Sequence, residues 1–350
     1  MNNISVLGVD LAKNVFQVYA EDRFGNRLFN RQYKRKAFIK FIQSLSPCLI
    51  GMEACGTAHH WGRFCKELGH EVKLMNPKRI KAYLNGNKND NNDAEAICEA
   101  TLSKKVRGIL VKTIPQQRLT SMHRARSIVV KRKTQMANHI RSMLAEYGLV
   151  TGVGYAALVR LIEDVLAGEH IPLDEGLCFV LHDLYEELKQ LANRIKSYNQ
   201  KLKKLAKENK SSAKLLDMLG IGEITATAII AKVEDFSVFK TGRDFAAWLG
   251  LTPKEYSSAE KRKMGGISKK GDRYLRTLLI HGARAAIQAT IAKDKRSNAY
   301  YRWIHSAVER LGKNKAAVAL ANKHARMIWA IMYHDRKVNL SDSEQYLMAA

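Results

Sequence analysis

Acidic residues are scarce: 33 aspartates and glutamates stand against 59 lysines and arginines in 350 residues, leaving a formal net charge of +26. An excess of that size points to a polyanionic partner, with nucleic acid ahead of an anionic membrane surface. Long apolar runs are absent as well. No stretch approaches the roughly 18 residues that span a bilayer, and there is neither a signal peptide nor a lipidation motif, so the expected compartment is the cytoplasm, with no membrane partner. Cysteine is sparse and unordered. Cys48, Cys55, Cys65, Cys98 and Cys178 are odd in number and form no CxxC, which argues against a disulfide framework or a zinc ribbon. His59 and His60 lie near Cys55 and Cys65, but adjacent histidines diverge on a helix and the spacing matches no zinc pattern. Also missing are the GxxxxGK[ST] of a P-loop and the glycine and distal glutamate that an EF-hand would need around Asp90 and Asp93.

What is present, 46% apolar and 26% charged residues, suits a globular chain of roughly two or three domains. The apolar run Ile4–Val9 ends on a carboxylate, Asp10, and alternation resumes over Val15, Phe16, Gln17 and Val18. This pattern predicts a buried strand with an acid at its exit and a second strand turning back beside it. An unpaired acid there is costly, so a cation is expected next to it. A third strand follows the Gly25-Asn26 turn, then a helix over Lys36–Leu45. Cys48–Met52 reads as another short strand, again with a carboxylate at its exit, Glu53. A helix over Thr57–Leu68, a strand over Glu71–Met75 and a short basic helix opened by Pro77 complete an α/β layer. The polar run Asn85–Ala94 leads into a helix. Asp90 and Asp93 are three apart and share one face if both are helical, although an aspartate N-cap with a second acid at N3 is also an ordinary helix start.

Gln116–Tyr147 reads as one long basic helix, with Leu119, Met122, Val129, Met136, Ile140 and Met143 on a seam interrupted by Arg126 and Lys133. These two cations serve either a nucleic acid or the register of the seam. Leu181, Leu184, Leu188, Leu191, Ile195, Tyr198, Leu202 and Leu205 repeat at alternating spacings of three and four, a coiled-coil pattern that pairs either with the first helix or with another subunit. KENKSS, residues 207–212, reads as a polar linker. The segment after it resembles a helix-hairpin-helix turning at Gly220-Ile221-Gly222, whose exposed N–H groups would suit a phosphate; two helices packed through a tight turn are the plainer alternative. A further helix runs over Phe245–Leu251. Lys254–Arg276 mixes hydroxyls, glycines and cations, and is either a solvated basic loop or a phosphodiester site with Ser257 or Ser258 as nucleophile; no general base is evident beside either serine. The rest is helical to about Tyr333, with Trp303, Ile328, Trp329 and Ile331 expected in the core and a frayed tail beyond.

Carboxylates suit nucleic acid only with a divalent metal between them, and two such ions about 4 Å apart stabilise both the attacking and the leaving oxygen of a phosphoryl transfer. Asp10, Glu53, Asp90 and Asp93 in a strongly basic chain therefore predict an RNase H-like metal site. LGVDLAK, MEACG and the run Lys88, Asp90, Asp93, Ala94 resemble the RuvC-like DEDD domain of insertion-sequence transposases, a group also described as bridge-RNA-guided recombinases. LGIG, FAAWLGLTP, YSS, GGISKKGDRYLR and LLIHGA resemble the C-terminal domain of the same family, so that the likeness runs from Ile4 to Val338.

The resemblance implies an α/β RNase H-like (RuvC-like) catalytic domain over 1–112, a central helical coiled coil over 113–208, a mainly α C-terminal domain with a helix-hairpin-helix-like motif over 209–338, and a tail over 339–350. It implies that the four acids bind Mg²⁺ (or Mn²⁺) and that Ser258 attacks the scissile phosphate to give a covalent protein–DNA intermediate, Ser257 being the adjacent alternative. Where many relatives carry glycine after the serine, this chain has Ala259. It further implies donor and target DNA and a non-coding guide RNA as partners, a homotetramer sharing acids and serine between subunits, and a bacterial cytoplasmic protein that joins the nucleoid when bound to DNA. Gly220, Gly222, Arg262, Lys263, Lys269, Lys270, Arg273 and Arg276 are the expected contacts to nucleic-acid phosphates. Two other readings stay open: a RuvC-like nuclease in which the acids activate water and the serine is a bystander, and a non-catalytic architectural protein that bundles nucleic acid.

Overall fold

The computed structural model describes residues 3–86, 89–170, 174–233, 235–258 and 263–336. Lys88, Arg262 and the tail 339–350 lie outside the described residues. The chain forms two compact units, Met1–Ile114 and Pro115–Ala350.

The first unit follows the expected order: β1 (Val6–Leu11), β2 (Val15–Glu21), β3 (Arg27–Lys34), α1 (Arg35–Gln43), β4 (Leu49–Glu53), α2 (Ala58–Glu67), β5 (Glu71–Met75), α3 (Pro77–Ile80) and α4 (Asp90–Leu102). The five strands form one sheet in the order β3-β2-β1-β4-β5. β1, β2 and β3 are antiparallel neighbours, whereas β4 runs parallel to β1 and β5 parallel to β4. Side chains alternate across the sheet. Leu7, Val9, Phe16, Val18, Ile50 and Met52 pack on one face with Phe38 and Ile42 of α1 and Trp61 and Cys65 of α2. Val6 and Tyr19 meet Ala94 and Cys98 of α4 on the other. Covering both faces of the sheet explains why its central strands read as continuous apolar runs. The result is a mixed α/β sheet with helices, consistent with a DEDD RuvC-like domain.

The second unit is mainly helical. α5 (Ile114–Ala145) and α7 (Glu175–Glu208) carry the two long seams, with α6 (Tyr155–Leu166) between them. Leu119 near the start of α5 clusters with Leu202 near the end of α7, while Ile140 and Leu144 cluster with Leu181 and Leu188. The two helices therefore pair antiparallel within one chain. Arg126 Nε donates to Asn199 Oδ1 at 2.6 Å, and the Lys133 ammonium sits 3.3 Å over the Tyr155 ring, so both interrupting cations hold the register of the bundle.

The expected linker at 207–212 is a correction: α7 runs to Glu208 and α8 (Lys210–Leu216) starts at once. Asn209 caps the new helix through Ser212 N, and Ser212 is buried, so the polar residues serve a helix junction. α9 (Glu223–Ile230) completes the expected hairpin of short helices, and α10 (Gly242–Trp248) follows. Lys254–Arg276 is not simply a loop. It takes in most of the antiparallel pair β6 (Pro253–Glu255) and β7 (Met264–Ile267) and then opens α11 (Arg273–Ala292). α12 (Ala299–Tyr333) kinks at Gly312, whose φ of 74° is left-handed. Phe245, Leu279, Tyr300, Ile328, Trp329 and Ile331 share the core of this unit, while Trp303 is only partly buried at its edge. No helix among the described residues is long and apolar enough to cross a membrane.

Candidate active site

Glycine sets the geometry around the acids. Gly8 lies two residues before Asp10, and a Cβ placed there would stand 2.2 Å from the Ala94 carbonyl oxygen. Gly51 lies two residues before Glu53, and a Cβ there would stand 1.7 Å from Thr101 Oγ1. Residues two apart on a strand share a face, so Asp10 and Glu53 project toward the side of the sheet on which α4 lies. α4 brings its own pair. Asn89 is the N-cap, accepting from Asn92 N at 2.8 Å, which corrects the expectation of an aspartate cap. Asp90 and Asp93 occupy the first turn, where the helix dipole favours a carboxylate.

The sequence reading missed the residues that pin this helix. Gln17, the cross-strand neighbour of Asp10, is 6% exposed. Its amide donates to Asn91 Oδ1 at 2.6 Å and to Asn30 Oδ1 at 2.5 Å, and Asn30 Nδ2 donates to the Asn91 carbonyl at 3.0 Å. Three amides thus tie the N-terminus of α4 to β2 and β3. A single polar residue inside the run VFQVYA was the available signal.

Burial first, then Asp93, Glu53 and Asp90, pushes the Asp10 carboxyl up from 3.8 to about 6. Asp10 is within electrostatic reach of the other three acids, and like charges gathered at a half-buried carboxylate raise its pKa in this way. Among the described residues no three His, Cys, Asp or Glu side chains are already drawn to the spacing of a metal shell. The donor set is nonetheless one of hard oxygens, which fits a hard divalent cation and not a soft one. His59 has another use: its Nδ1 accepts from Lys112 N at 3.2 Å.

The second unit carries the serines. Ser257 and Ser258 are exposed just beyond β6, and Tyr256 N donates to the Lys263 carbonyl at 2.9 Å across the hairpin. Ser257 Oγ donates to Glu255 Oε1 at 2.8 Å, a carboxylate two residues upstream that the sequence reading did not connect with either serine. Lys263, Lys269, Lys270 and Arg273 are exposed. Arg276 is a correction. It is 9% exposed, and its Nη1 donates to the Leu249 carbonyl at 3.0 Å and the Gly271 carbonyl at 3.3 Å, so it braces the fold instead of facing phosphate. Gly220 also has a packing role, because a Cβ there would stand 2.4 Å from the Gly282 carbonyl oxygen of α11. Gly222 is exposed as the N-cap of α9, and Glu223 in the first turn of that helix lies 3.8 Å from Lys203.

A basic chain whose α/β unit gathers four carboxylates on one side of its sheet, joined to a helical unit, has the composition of a nucleic-acid enzyme. Comparison with known proteins makes this specific. Residues 212–302 match the family described as "Transposase IS116/IS110/IS902 family", and residues 7–149 match a DEDD transposase family of the IS110 type. The chain is 45% identical over 332 residues to a "Probable family 20 transposase" of Pseudomonas aeruginosa, covering 94% of this chain and 97% of that protein. It is 39% identical to the transposase for insertion sequence element IS1111A of Coxiella burnetii, over 95% and 90% of the two chains, and 34% identical to that for IS1328 of Yersinia enterocolitica, over 95% and 97%. The chain belongs to the IS110 family of insertion-sequence transposases, enzymes that act on DNA, and the DEDD family implies use of a divalent metal.

Proposed function

We propose that Asp10, Glu53, Asp90 and Asp93 form the metal site of this transposase, that the metal is Mg²⁺ (with Mn²⁺ as a substitute), and that Ser258 is the nucleophile. The observation that carries the metal site is the close packing of α4 on β1 and β4 at Gly8 and Gly51, which puts Asp90 and Asp93 on the side of the sheet toward which Asp10 and Glu53 project; the raised Asp10 carboxyl, pressed by Asp93, Glu53 and Asp90, agrees with it. A bound divalent cation would supply positive charge to the scissile phosphate and to the attacking oxygen. Gln17 and Asn30 hold the helix bearing Asp90 and Asp93, through Asn91, to β2, the strand beside the one bearing Asp10, and to β3. In the cleavage step the serine oxygen bonds to phosphorus, the bond from phosphorus to one bridging deoxyribose oxygen breaks, the serine proton passes to a carboxylate or water, and the released oxygen gains a proton. Joining is the reverse, with a hydroxyl of another DNA end displacing the serine oxygen.

Ser257 is the second reading for the nucleophile, favoured by its hydrogen bond to Glu255, which would accept the proton. The exposed Lys263, Lys269, Lys270 and Arg273, together with Arg262, would neutralise DNA phosphates. The non-coding guide RNA, the tetramer with acids and serine from different subunits, the domain limits at 112, 208 and 338, the RuvC-like ancestry of the first domain and a cytoplasmic, nucleoid-bound location rest on the family resemblance.

The test of the metal site is Asp10→Asn. Strand cleavage should fall by at least about 100-fold, as expected when metal-held electrostatic stabilisation is lost, while DNA binding persists. Unchanged cleavage would return the acids to strand-end and helix-cap roles and show that they hold no catalytic metal.

A further inference from the structure

At the foot of the β6–β7 hairpin lies a cavity of about 420 Å³. Pro253 and Ile267 line it from the hairpin, and Trp303, Lys315, Lys323 and Arg326 from α12. Lys323 is 7% exposed, makes no ion pair with a described residue, and has its ammonium 4.8 Å over the Trp303 ring. Arg326 Nε is buried with no hydrogen-bond partner among the described residues. Among the described residues, the charge that bears on Lys323 is Arg326 and the one that bears on Arg326 is Arg243, both positive. Burial and Arg326 push the Lys323 ammonium down to about 8, which leaves it largely charged at neutral pH. Cations buried beside one another without a carboxylate are unfavourable unless an anion arrives. Lys315, exposed, extends the row, and residues 315–326 cover roughly 16 Å of helix, a length suited to a polymer of phosphates.

We propose that this cavity is a positioning site for the phosphodiester backbone of the DNA strand on which the hairpin serines act, with Lys323 and Arg326 inside it and Lys315 at its rim. Ser258 is five residues from Pro253, at most about 17 Å of extended chain. At 3.4 Å per phosphate of one strand, the held phosphate would lie within about five nucleotides of the reacting one. The choice of strand rests on the proposed role of Ser258; the anion site itself does not.

The test uses the full chain in EDTA, so that no cleavage contributes, and measures anisotropy of a labelled 10-nucleotide single-stranded DNA and of its RNA counterpart over a salt series. Lys323→Met and Lys315→Gln should each weaken DNA binding by about fivefold to tenfold and flatten the dependence of log K on log salt by about 1. Lys201→Gln, an exposed control on α7, should change affinity less than twofold. Lys323→Met should melt no lower than the parent, because it removes an unpaired buried charge; if it fails to fold, the exposed Lys315→Gln still decides. Pocket variants that bind like Lys201→Gln would overturn the proposal, as would a pocket-dependent preference for RNA over DNA. A negative result here leaves the serine reading intact, whereas normal pocket behaviour without any serine adduct would remove only the strand assignment.

Discussion

Gly8 of β1 and Ala94 of α4 are so close that the α4 backbone occupies the space a Gly8 side chain would need, 2.2 Å from the Ala94 carbonyl oxygen. Asp10 lies two residues after one partner and Asp93 one residue before the other, so a contact without chemistry of its own sets the spacing of the acids. Gly8→Ala should therefore cost on the order of 3 kcal/mol and abolish cleavage, with both effects visible in thermal unfolding and a DNA nicking assay. A fully active Gly8→Ala protein would show that the packing of α4 does not position the site.

The Asp10 carboxyl binds its proton more tightly in the folded chain than in the unfolded one, at about 6 against 3.8. Its contribution to stability is thus complete below about pH 4 and is lost as pH rises through about 6. Metal-free protein should lose on the order of 1–2 kcal/mol relative to Asp10→Asn across that window, after allowance for solvent screening of a half-exposed group. At pH 7, Mg²⁺ should raise the melting temperature of the parent protein and leave that of Asp10→Asn nearly unchanged. Parallel stability profiles for the two proteins would contradict the electrostatic account.

Arg126 and Asn199 form a polar layer in the antiparallel helix pair. Asn199→Leu should cost about 1–3 kcal/mol by stranding the guanidinium, and adding Arg126→Met should recover most of the loss. Urea unfolding of the two single variants and the double variant measures the coupling; additive losses would mean that the bond sets no register.

Arg276 and Lys270 should behave as opposites, although both belong to the same basic run. Arg276→Ala should destabilise by about 2–3 kcal/mol by leaving the Leu249 and Gly271 carbonyls unpaired. Lys270→Gln should leave stability unchanged and flatten the salt dependence of DNA binding by about 1. The reverse pattern would restore Arg276 to the phosphate contacts.

These contrasts show where reading a sequence works and where it stops. Val6–Asp10 and Leu49–Glu53 were legible because buried strands need apolar runs and an acid at the end of one is conspicuous. The α5 and α7 seams were legible through their periodicity, but which helix they met was not, since that depends on contacts such as Leu119 with Leu202. Composition misled at Arg276, where a cation in a basic run turned out to be bonded to carbonyls, and at 207–212, where polar residues cap a helix. The role of Gln17 was not legible because its partner Asn91 is 74 positions away. Lys323 carries no local signal, because Trp303, Arg326 and the hairpin meet around it only in the fold.

The most direct test of the mechanism is to incubate the protein with Mg²⁺, any RNA that copurifies with it and element-end DNA, denature in SDS, and map any DNA-linked peptide by mass spectrometry. The account predicts an SDS-resistant adduct at Ser258 that is absent from Ser258→Ala and from Asp10→Asn, and that persists in Ser257→Ala. Free cut ends without an adduct, formed equally by Ser258→Ala, would contradict it and leave a nuclease that uses water.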